Sequence, residues 1–578
     1  MRRILPLGCL FVLALASACD SSETDETDST GTQTGGNIPV GGSPVVGGAG
    51  GAGGDPIVGG AGGVQGGAGG EGGGGGAPPT CDGTPAECAA LWEENASDRF
   101  DMLVGGPQDQ LEAFLTAVPK GGDLHNHLSG AVYAETYLDW AETENFCINS
   151  STFAASASGS CGGATQAVPT SGAFYDDIIG AWSMEGFVRG GAETGHDHFF
   201  DTFGKFGAIA GAHRFDSIAD VAIRAASENQ VYVETMFNMG QNVGGLTDDN
   251  WSGTLNESDL QAAYDLAIND PSFDAELQQD VNSVDQARTG YRTALGCAGA
   301  SPPAACDVEV RFIAQVSRTG SRATVFGQLL GAFEMAAQTD AIVGVNLSSP
   351  EDEVSAASYD LQMAMLDFLH QQYTETGVSP LRVTLHAGEL TDTYGTPAAL
   401  AGNIRKAVEI AHAERIGHGL SLLSDANPQA LMDEMRDQGV LVEVCLSSNV
   451  QILLVSGSDH PLATYLDNQV PVALATDDQG VSRSSMAGEY LRAALDQGLS
   501  YRQLKLIARN SLEHAFVPGN SLWTSIGDAE PVAACASNDT MGVGDPPDAT
   551  CEAFLAESER ATLQWRLEHN FREFESQQ

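Results

Sequence analysis

Eight short β-runs, separated by stretches with helical periodicity, constrain this 578-residue chain more than any other feature. The runs are Asp123–His125, Val231–Glu234, Val308–Ala314, Ile342–Leu347, Arg382–His386, Arg415–His418, Val440–Cys445 and Val472–Thr476. This alternation is typical of an α/β fold of the (β/α)8 TIM-barrel type, although an open doubly wound sheet shows it too. Two long insertions are expected in the barrel, at about 131–230 and 238–307.

The first 19 residues have the pattern of an export signal. Two arginines precede an apolar run, 4–15, that is too short to span a membrane stably, and small residues then lead to Cys19. The segment resembles a bacterial lipoprotein signal in which Cys19 is lipidated, although ordinary cleavage beside an incidental cysteine also fits. We expect an exported protein, held by a lipid anchor to a bacterial membrane, in the periplasm or at the cell surface.

Residues 20–80 have a composition that cannot build a core. The first part is mostly Ser, Thr, Asp and Glu, and residues 35–76 contain 23 glycines. Such a segment buries too little apolar area to offset its backbone entropy, so we expect a disordered tether. An N-terminal helical extension (81–118), the barrel (119–520) and a C-terminal extension with a helix (521–578) are expected to follow.

The charge balance excludes several classes of partner. The chain has 26 Lys and Arg against 77 Asp and Glu, a formal charge of −51. Such a field repels phosphate backbones and anionic lipids, so we expect no nucleic-acid partner and no membrane contact except through the lipid anchor. The acidic surface is interpreted as a solvated coat, with selection of cationic partners as the alternative. The oligomeric state stays open, a homodimer included.

Nine cysteines remain beyond Cys9 and Cys19, and eight of them fall into short-range pairs. The nearest-neighbour hypothesis joins Cys81 to Cys88, Cys147 to Cys161, Cys297 to Cys306, and Cys535 to Cys551. Disulfides in these loop regions would fit an oxidising compartment. Cys445 lies in an apolar run and is interpreted as a buried, inert strand cysteine.

Polar side chains end or directly follow four of the predicted strands. His125 and His127 have a spacing that places both on one side of a strand. Further candidates at strand ends are His386, Glu389, His418, Asp477 and Asp478. Three histidines and one aspartate supply a nitrogen and oxygen set that suits zinc. A second His-x-His motif, His196-Asp197-His198, does not end a β-run, and we interpret it as structural or as part of an insertion.

Together these segments resemble the adenosine deaminase family of the amidohydrolase superfamily. The matching segments run in order from residue 119 to residue 516: Pro119–His127, His386–Glu389, Gly417–Gly419, Ser447–Asn449, Thr476–Asp478 and Asn510–Phe516. The opening Pro-Lys-Gly-Gly and the export signal are similar to the extracellular, growth-factor-type branch of that family.

The resemblance implies a function and a role for each site residue. One zinc ion per chain would be held by His125, His127, His386 and Asp477. Glu389 would protonate N1 of a purine, His418 would orient the attacking water and help to deprotonate it, and Asp478 would hydrogen-bond N7. The implied reaction is hydrolytic deamination of adenosine, or of a related 6-aminopurine nucleoside, to inosine and ammonia. The acidic field favours nucleosides over AMP.

The chain departs from the family pattern at the predicted substrate contacts. Ser129 stands where the family commonly has an aspartate that contacts the ribose. Ser349 stands where a glycine amide commonly contacts purine N3, and its own backbone amide could serve instead. Gln479 follows the paired aspartates where proline is usual.

Other classes of protein fit the sequence less well. A dinuclear amidohydrolase needs a bridging lysine, but no lysine lies between Lys205 and Lys406. A cytidine-type deaminase needs Cys-x-x-Cys, a serine hydrolase needs Gly-x-Ser-x-Gly, and a zincin needs His-Glu-x-x-His; the chain has none of these motifs. A deaminase of another aminopurine, such as adenine, and a non-catalytic surface protein that binds nucleosides remain as alternatives.

Overall fold

The computed structural model describes residues 81–157, 160–189, 191–536 and 548–578. The predicted export signal, with Cys19, and the predicted tether 20–80 lie outside the described residues. Within the described ranges, no helix combines the length and the apolar character that a membrane span requires.

Eight parallel strands form the centre of the fold. They are β1 (Gly121–His127), β2 (Gln230–Asn238), β3 (Glu309–Ser317), β4 (Ile342–Ser348), β5 (Arg382–Ala387), β6 (Arg415–His418), β7 (Leu441–Val444) and β8 (Val472–Leu474). Each strand pairs in parallel with the next one along the chain. A parallel bridge between Asn126 and Asp477 then joins the end of β8 to β1. This bridge confirms the predicted barrel over the open sheet.

Helices and small sheets surround the barrel. In chain order the helices are α1 (Pro85–Val104), α2 (Gln108–Ala117), α3 (Leu128–Ala131), α4 (Ala134–Thr143), α5 (Ala173–Trp182), α6 (Gly195–Ala212), α7 (Arg214–Ser227), α8 (Gln241–Asn250), α9 (Leu260–Ile268), α10 (Phe273–Ala294), α11 (Arg322–Ala336), α12 (Tyr359–Leu369), α13 (Pro397–Glu409), α14 (Pro428–Gln438), α15 (Leu446–Leu453), α16 (Leu462–Asp467), α17 (Gln479–Ser482), α18 (Met486–Leu495), α19 (Tyr501–Glu513), α20 (Ala549–Ala556) and α21 (Glu559–Glu575). The first insertion also holds a three-stranded antiparallel sheet, Cys147–Asn149, Ala155–Ser156 and Thr165–Ala167, and a hairpin of Trp523–Ser525 and Glu530–Pro531 follows the barrel.

All eight predicted β-runs are strands, but some strand ends differ. β2 extends to Asn238 and β3 to Ser317, beyond the apolar runs, because ladder hydrogen bonds continue under polar side chains. β7 is shorter than predicted: it ends at Val444, and Cys445 is the residue before α15. Cys445 is buried as predicted, with a free thiol whose pKa burial raises well above the usual value.

A charged layer lies inside the barrel below the site. Arg415 is fully buried and pairs with Glu234 and with Glu443, whose Oε1 accepts a bond of 2.6 Å. Burial acts to raise the pKa of Glu443, but Arg415 and His125 outweigh it and lower that pKa to about 2. One guanidinium thus holds two buried carboxylates, and removing Arg415 would cost about 3–5 kcal/mol by leaving them without their cation.

Four disulfides close short loops around the barrel. They join Cys81 to Cys88, Cys147 to Cys161, Cys297 to Cys306, and Cys535 to Cys551, the same pairs as in the nearest-neighbour hypothesis. The Cys147–Cys161 bond spans 14 residues in the first insertion. Closing a loop of that size in the unfolded chain stabilises the fold by about 3 kcal/mol in the chain-entropy model.

Candidate metal centre and active site

Three histidines and one aspartate from opposite ends of the sequence meet at the carboxyl end of the barrel. Nε2 of His386 lies 3.1 Å from Nε2 of both His125 and His127. Oδ1 of Asp477 lies 3.4 Å from Nε2 of His127. All four residues are buried, and their ligand atoms lie within 4.8 Å of one another. The strands therefore bring together the four predicted metal ligands.

The outer nitrogen of each histidine is held by an oxygen acceptor. Three contacts do this: His125 Nδ1 to Glu443 Oε2 at 2.6 Å, His127 Nδ1 to Gln315 Oε1 at 3.1 Å, and His386 Nδ1 to Asn346 Oδ1 at 2.6 Å. An oxygen that accepts requires a proton on Nδ1, so in the neutral imidazole the lone pair is on Nε2.

This arrangement fits a metal ion. The bare Nε2 lone pair of His386 lies 3.1 Å from those of His125 and His127, which is repulsive unless a cation lies between them. Burial and the neighbouring histidines lower the pKa of His386 well below its usual value, which keeps its Nε2 lone pair free for a metal ion. Nitrogen donors with one carboxylate oxygen suit zinc.

The backbone is strained at two site residues that lie at or just after strand ends. His418 and Asp477 have φ values of 65° and 57°, in the left-handed region that is uncommon for residues other than glycine. Gly417 allows a close approach, because a Cβ there would lie 2.6 Å from Cε1 of His125. The Gly-His pair at the end of β6 thus makes room for a ligand histidine on β1.

Glu389 is a carboxyl group placed to hold a proton. Burial, with the nearby carboxylates Asp477 and Glu351, raises its pKa well above the usual value. The turn that carries it is fastened by Glu351, which accepts bonds from the backbone N–H groups of Gly388 and Glu389 at 3.1 and 2.9 Å. The side chain points into the site, with Oε1 3.7 Å from Nε2 of His418.

His418 and Asp478 each offer a buried polar atom without a hydrogen-bond partner among the described residues. These atoms are Nε2 of His418 and Oδ1 of Asp478. Burial lowers the pKa of His418 to about 3, and burial with the adjacent Asp477 raises the pKa of Asp478 well above its usual value. An unpartnered buried polar atom is costly, so both atoms are available to a bound ligand.

A cavity of about 420 Å³ opens onto these groups, within the range of small-molecule sites. Its lining includes His127, His386, Glu389, His418, Asp477 and Asp478, and also both predicted substrate contacts, Ser129 and Ser349. Phe199, Phe200 and Phe203 of α6 supply an aromatic wall. None of the lining residues within the described ranges is a lysine or an arginine.

Sequence reasoning missed the residues that orient the site: Gln315, Asn346, Glu351 and Glu443. One signal was available, since Glu443 interrupts the apolar run 440–445 and a lone charge in a buried strand requires a partner. Gln315 and Asn346 are polar residues near the ends of apolar strands, where parallel barrels place functional side chains.

Residues 270–523 match the family model described as adenosine deaminase. This segment of the chain is therefore similar to the adenosine deaminase family. The matched part holds His386, Glu389, His418, Asp477 and Asp478, whereas the histidines of β1 precede it and join them only through the barrel.

Several known proteins are similar to parts of this chain. An adenosine deaminase of Erwinia tasmaniensis is 34% identical over 215 residues, which are 37% of this chain and 58% of the relative. One of Yersinia pseudotuberculosis is 38% identical over 138 residues, 24% of this chain and 38% of the relative. The chain thus spans about half the length of the curated relatives it matches. The apo structure of the N6-methyl-AMP deaminase from Arabidopsis thaliana is 18% identical, with a TM-score of 0.44, covering 70% of this chain and 94% of that one.

Proposed function

We propose that this protein is a zinc-dependent hydrolase that converts adenosine, or a related 6-aminopurine nucleoside, to inosine or the matching 6-oxopurine nucleoside, releasing ammonia. The observation that carries the proposal is the position of Glu389, a buried acid with a raised pKa beside a cluster of three histidines and an aspartate. The match of residues 270–523 to the adenosine deaminase family model supports the same reaction.

A zinc ion held by His125, His127, His386 and Asp477 would supply a Lewis acid that lowers the pKa of water at the site from about 16 to about 7. Addition of the water oxygen to C6 breaks the aromaticity of the purine and places charge on the ring. Glu389, protonated because of its raised pKa, gives its proton to N1 and so stabilises that charge. The Glu389 carboxylate then takes the proton of the new C6 hydroxyl and passes it to the amino group, which leaves as ammonia as the C6 carbonyl forms. The proton that the next water loses on ionising restores the acid form of Glu389.

The remaining cavity groups position the base. N7 of a purine is a hydrogen-bond acceptor, and a carboxyl group with a raised pKa, such as Asp478, retains a proton to donate to it. The rings of Phe199, Phe200 and Phe203 offer the apolar surface against which a purine nucleoside packs.

The cavity favours a nucleoside over a nucleotide. A phosphate group needs cationic or N–H donors, and the described lining has no lysine or arginine while Glu353 adds a further carboxylate to it. The formal charge of −51 acts in the same direction.

An ammonia-release assay tests the proposal with the zinc-loaded protein and four substrates: adenosine, adenine, AMP and cytidine. We expect kcat/KM for adenosine to exceed that for AMP and cytidine by at least about tenfold, equivalent to 1.4 kcal/mol. Comparable turnover of AMP would contradict the charge reasoning. A preference for adenine would reassign the substrate to the free base, and no ammonia from any substrate would contradict the reaction.

The variant Glu389→Gln separates proton donation from metal binding. Because an amide cannot supply the proton to N1, kcat should fall by about 10²- to 10⁴-fold while zinc content stays at one per chain. Loss of zinc from this variant would make Glu389 a ligand rather than an acid.

We further propose that the protein is exported and anchored through a lipid on Cys19, with residues 20–80 as its tether. The sequence of the first 19 residues supports the anchor, and the four disulfides agree with an oxidising compartment. The mass of the mature N-terminal peptide tests it: a diacylated Cys19 is expected, and a peptide that still begins at Met1 would contradict it.

A further inference from the structure

Behind His418 lies a row of hydrogen bonds that leads away from the candidate metal ligands. Asn449 of α15 places Nδ2 3.0 Å from Nδ1 of His418, and its Oδ1 lies 3.1 Å from Nε2 of His460. Nδ1 of His460 in turn accepts a bond of 3.1 Å from the backbone N–H of Leu462, at the start of α16. All three side chains in this row are at most 3% exposed.

The backbone N–H of Leu462 determines which atom donates and which accepts in each of these three hydrogen bonds. A peptide N–H only donates, so Nδ1 of His460 has no proton and Nε2 carries it. Burial lowers the pKa of His460 to about 4, which agrees with a neutral ring. The proton on Nε2 of His460 must point to an acceptor, which places the carbonyl oxygen of Asn449 toward it.

The amide group of Asn449 transmits this direction to the site. With its oxygen toward His460, its NH₂ group faces His418 and donates to Nδ1. Nδ1 of His418 therefore has no proton, and the neutral ring carries its proton on Nε2. That Nε2 has no hydrogen-bond partner among the described residues, and it lies 3.7 Å from Glu389 and 4.0 Å from Asp477.

We infer that Asn449 and His460 are positioning residues that hold His418 as the Nε2–H tautomer, so that His418 donates a hydrogen bond into the site and accepts no proton there. This inference rests on the proposed function and deepens it. A protonated Nε2 cannot accept a proton, so His418 does not have the role of proton acceptor that the family resemblance implies. Instead, the Nε2–H group stabilises the oxygen that adds to C6 and directs it toward the ring.

The tautomer can be read directly by ¹⁵N NMR of the zinc-loaded protein labelled with ¹⁵N-histidine, because ring ¹⁵N–¹H correlations distinguish a protonated nitrogen from a bare one. A spectrum of His418→Gln identifies the signals of His418. We expect the proton on Nε2 and a bare Nδ1 at neutral pH. A proton on Nδ1, alone or together with one on Nε2, would overturn the inference. This result does not depend on turnover, so it stands apart from a failure of the proposed function.

Variants of His460, the residue of the hydrogen-bond row that lies farthest from the site, test the effect on turnover. His460 contacts Asn449 and does not contact the site. In His460→Leu the amide of Asn449 is free to rotate and His418 populates both tautomers. We expect kcat to fall by about tenfold, part of the 10²- to 10³-fold cost of losing such a donor, with KM and zinc content unchanged.

His460→Gln is the matched variant, since its amide can still donate to Oδ1 of Asn449. It should keep kcat within about threefold of the wild type and keep the Nε2–H signal of His418. Equal losses in the leucine and glutamine variants, or no loss in either, would show that His460 only fills space. Should His460→Leu fail to fold, the glutamine variant and the wild-type spectrum still decide the inference.

Discussion

His125 and His127 lie on strand β1, whereas His196 and His198, which have the same spacing, lie in the first turn of helix α6. Side chains at i and i+2 share one side of a strand, but they are about 200° apart around a helix. On the strand both Nε2 atoms reach the same point, each 3.1 Å from His386. The strand pair therefore acts as one ligand set.

On the helix the two histidines serve separate contacts. His196 stacks on Tyr394 and places Nε2 3.3 Å from Oδ1 of Asp352, in the loop after β4 that contributes to the cavity. His198 faces the carbonyl oxygens of Gly180 and Ser183, at 3.1 Å each. The comparison teaches that a His-x-His motif predicts a metal site only when its backbone is extended.

The largest expected effect follows from removing one histidine of each pair. His127→Gln should lose zinc at ordinary concentrations and reduce kcat/KM by at least about 10³-fold, because the metal contributes several kcal/mol to the reaction. Zinc per chain, measured by elemental analysis, checks it. His198→Gln is the matched control and should keep one zinc per chain, and equal zinc loss from both variants would invalidate the comparison.

An intermediate effect is expected at the groups that hold the outer nitrogens. Gln315→Ala removes the acceptor of His127 Nδ1, so the ring loses its fixed tautomer and zinc affinity should fall by about 10- to 100-fold. A competition titration with a chelator measures this affinity. Glu193, 3.2 Å from Nδ1 of His198, provides the control: Glu193→Ala should leave zinc affinity unchanged. An unchanged affinity in Gln315→Ala would mean that Gln315 has no part in orienting the ligand.

The smallest effect is expected at the helical pair. His196→Gln loses a partly exposed ion pair worth at most about 1 kcal/mol, so KM should rise no more than about fivefold while kcat and zinc content stay constant. The reason is that α6 carries the aromatic wall and is fastened to the loop of Asp352 through this contact. A larger loss in kcat than in KM would show that His196 acts in the reaction itself.

The effect at His196 should depend on pH in a defined direction. Burial opposes protonation, but hydrogen bonds to Asp352 and Asp197 outweigh it and raise the pKa of His196 above 6.5. A raised folded-state pKa means that the ion pair contributes below the ordinary pKa and is lost as pH rises through the raised one. The difference in KM between wild type and variant should therefore close as pH rises through that raised pKa, which a KM series over pH measures.

The candidate ligands could be predicted because their signals are local. Histidine or aspartate at the end of a β-run marks the mouth of a parallel barrel, and this marks the ligands His125, His386 and Asp477 from the sequence, as it does His418 beside them. The two-residue spacing then adds His127 to His125. Their orienting partners were not predictable in this way. The contact of His125 with Glu443 joins residues 318 positions apart, and no local pattern pairs them.

The sequence by itself determined which chemical groups stand at the strand ends, because side-chain direction follows from the two-residue period of a strand. Only the tertiary structure decided that β8 returns to β1, through the Asn126–Asp477 bridge, and so that the groups meet around one point. It also decided their protonation, because the tautomer of a buried histidine depends on the donor or acceptor that faces its other nitrogen. For His418 that partner is Asn449, and its orientation traces back to one backbone N–H at Leu462.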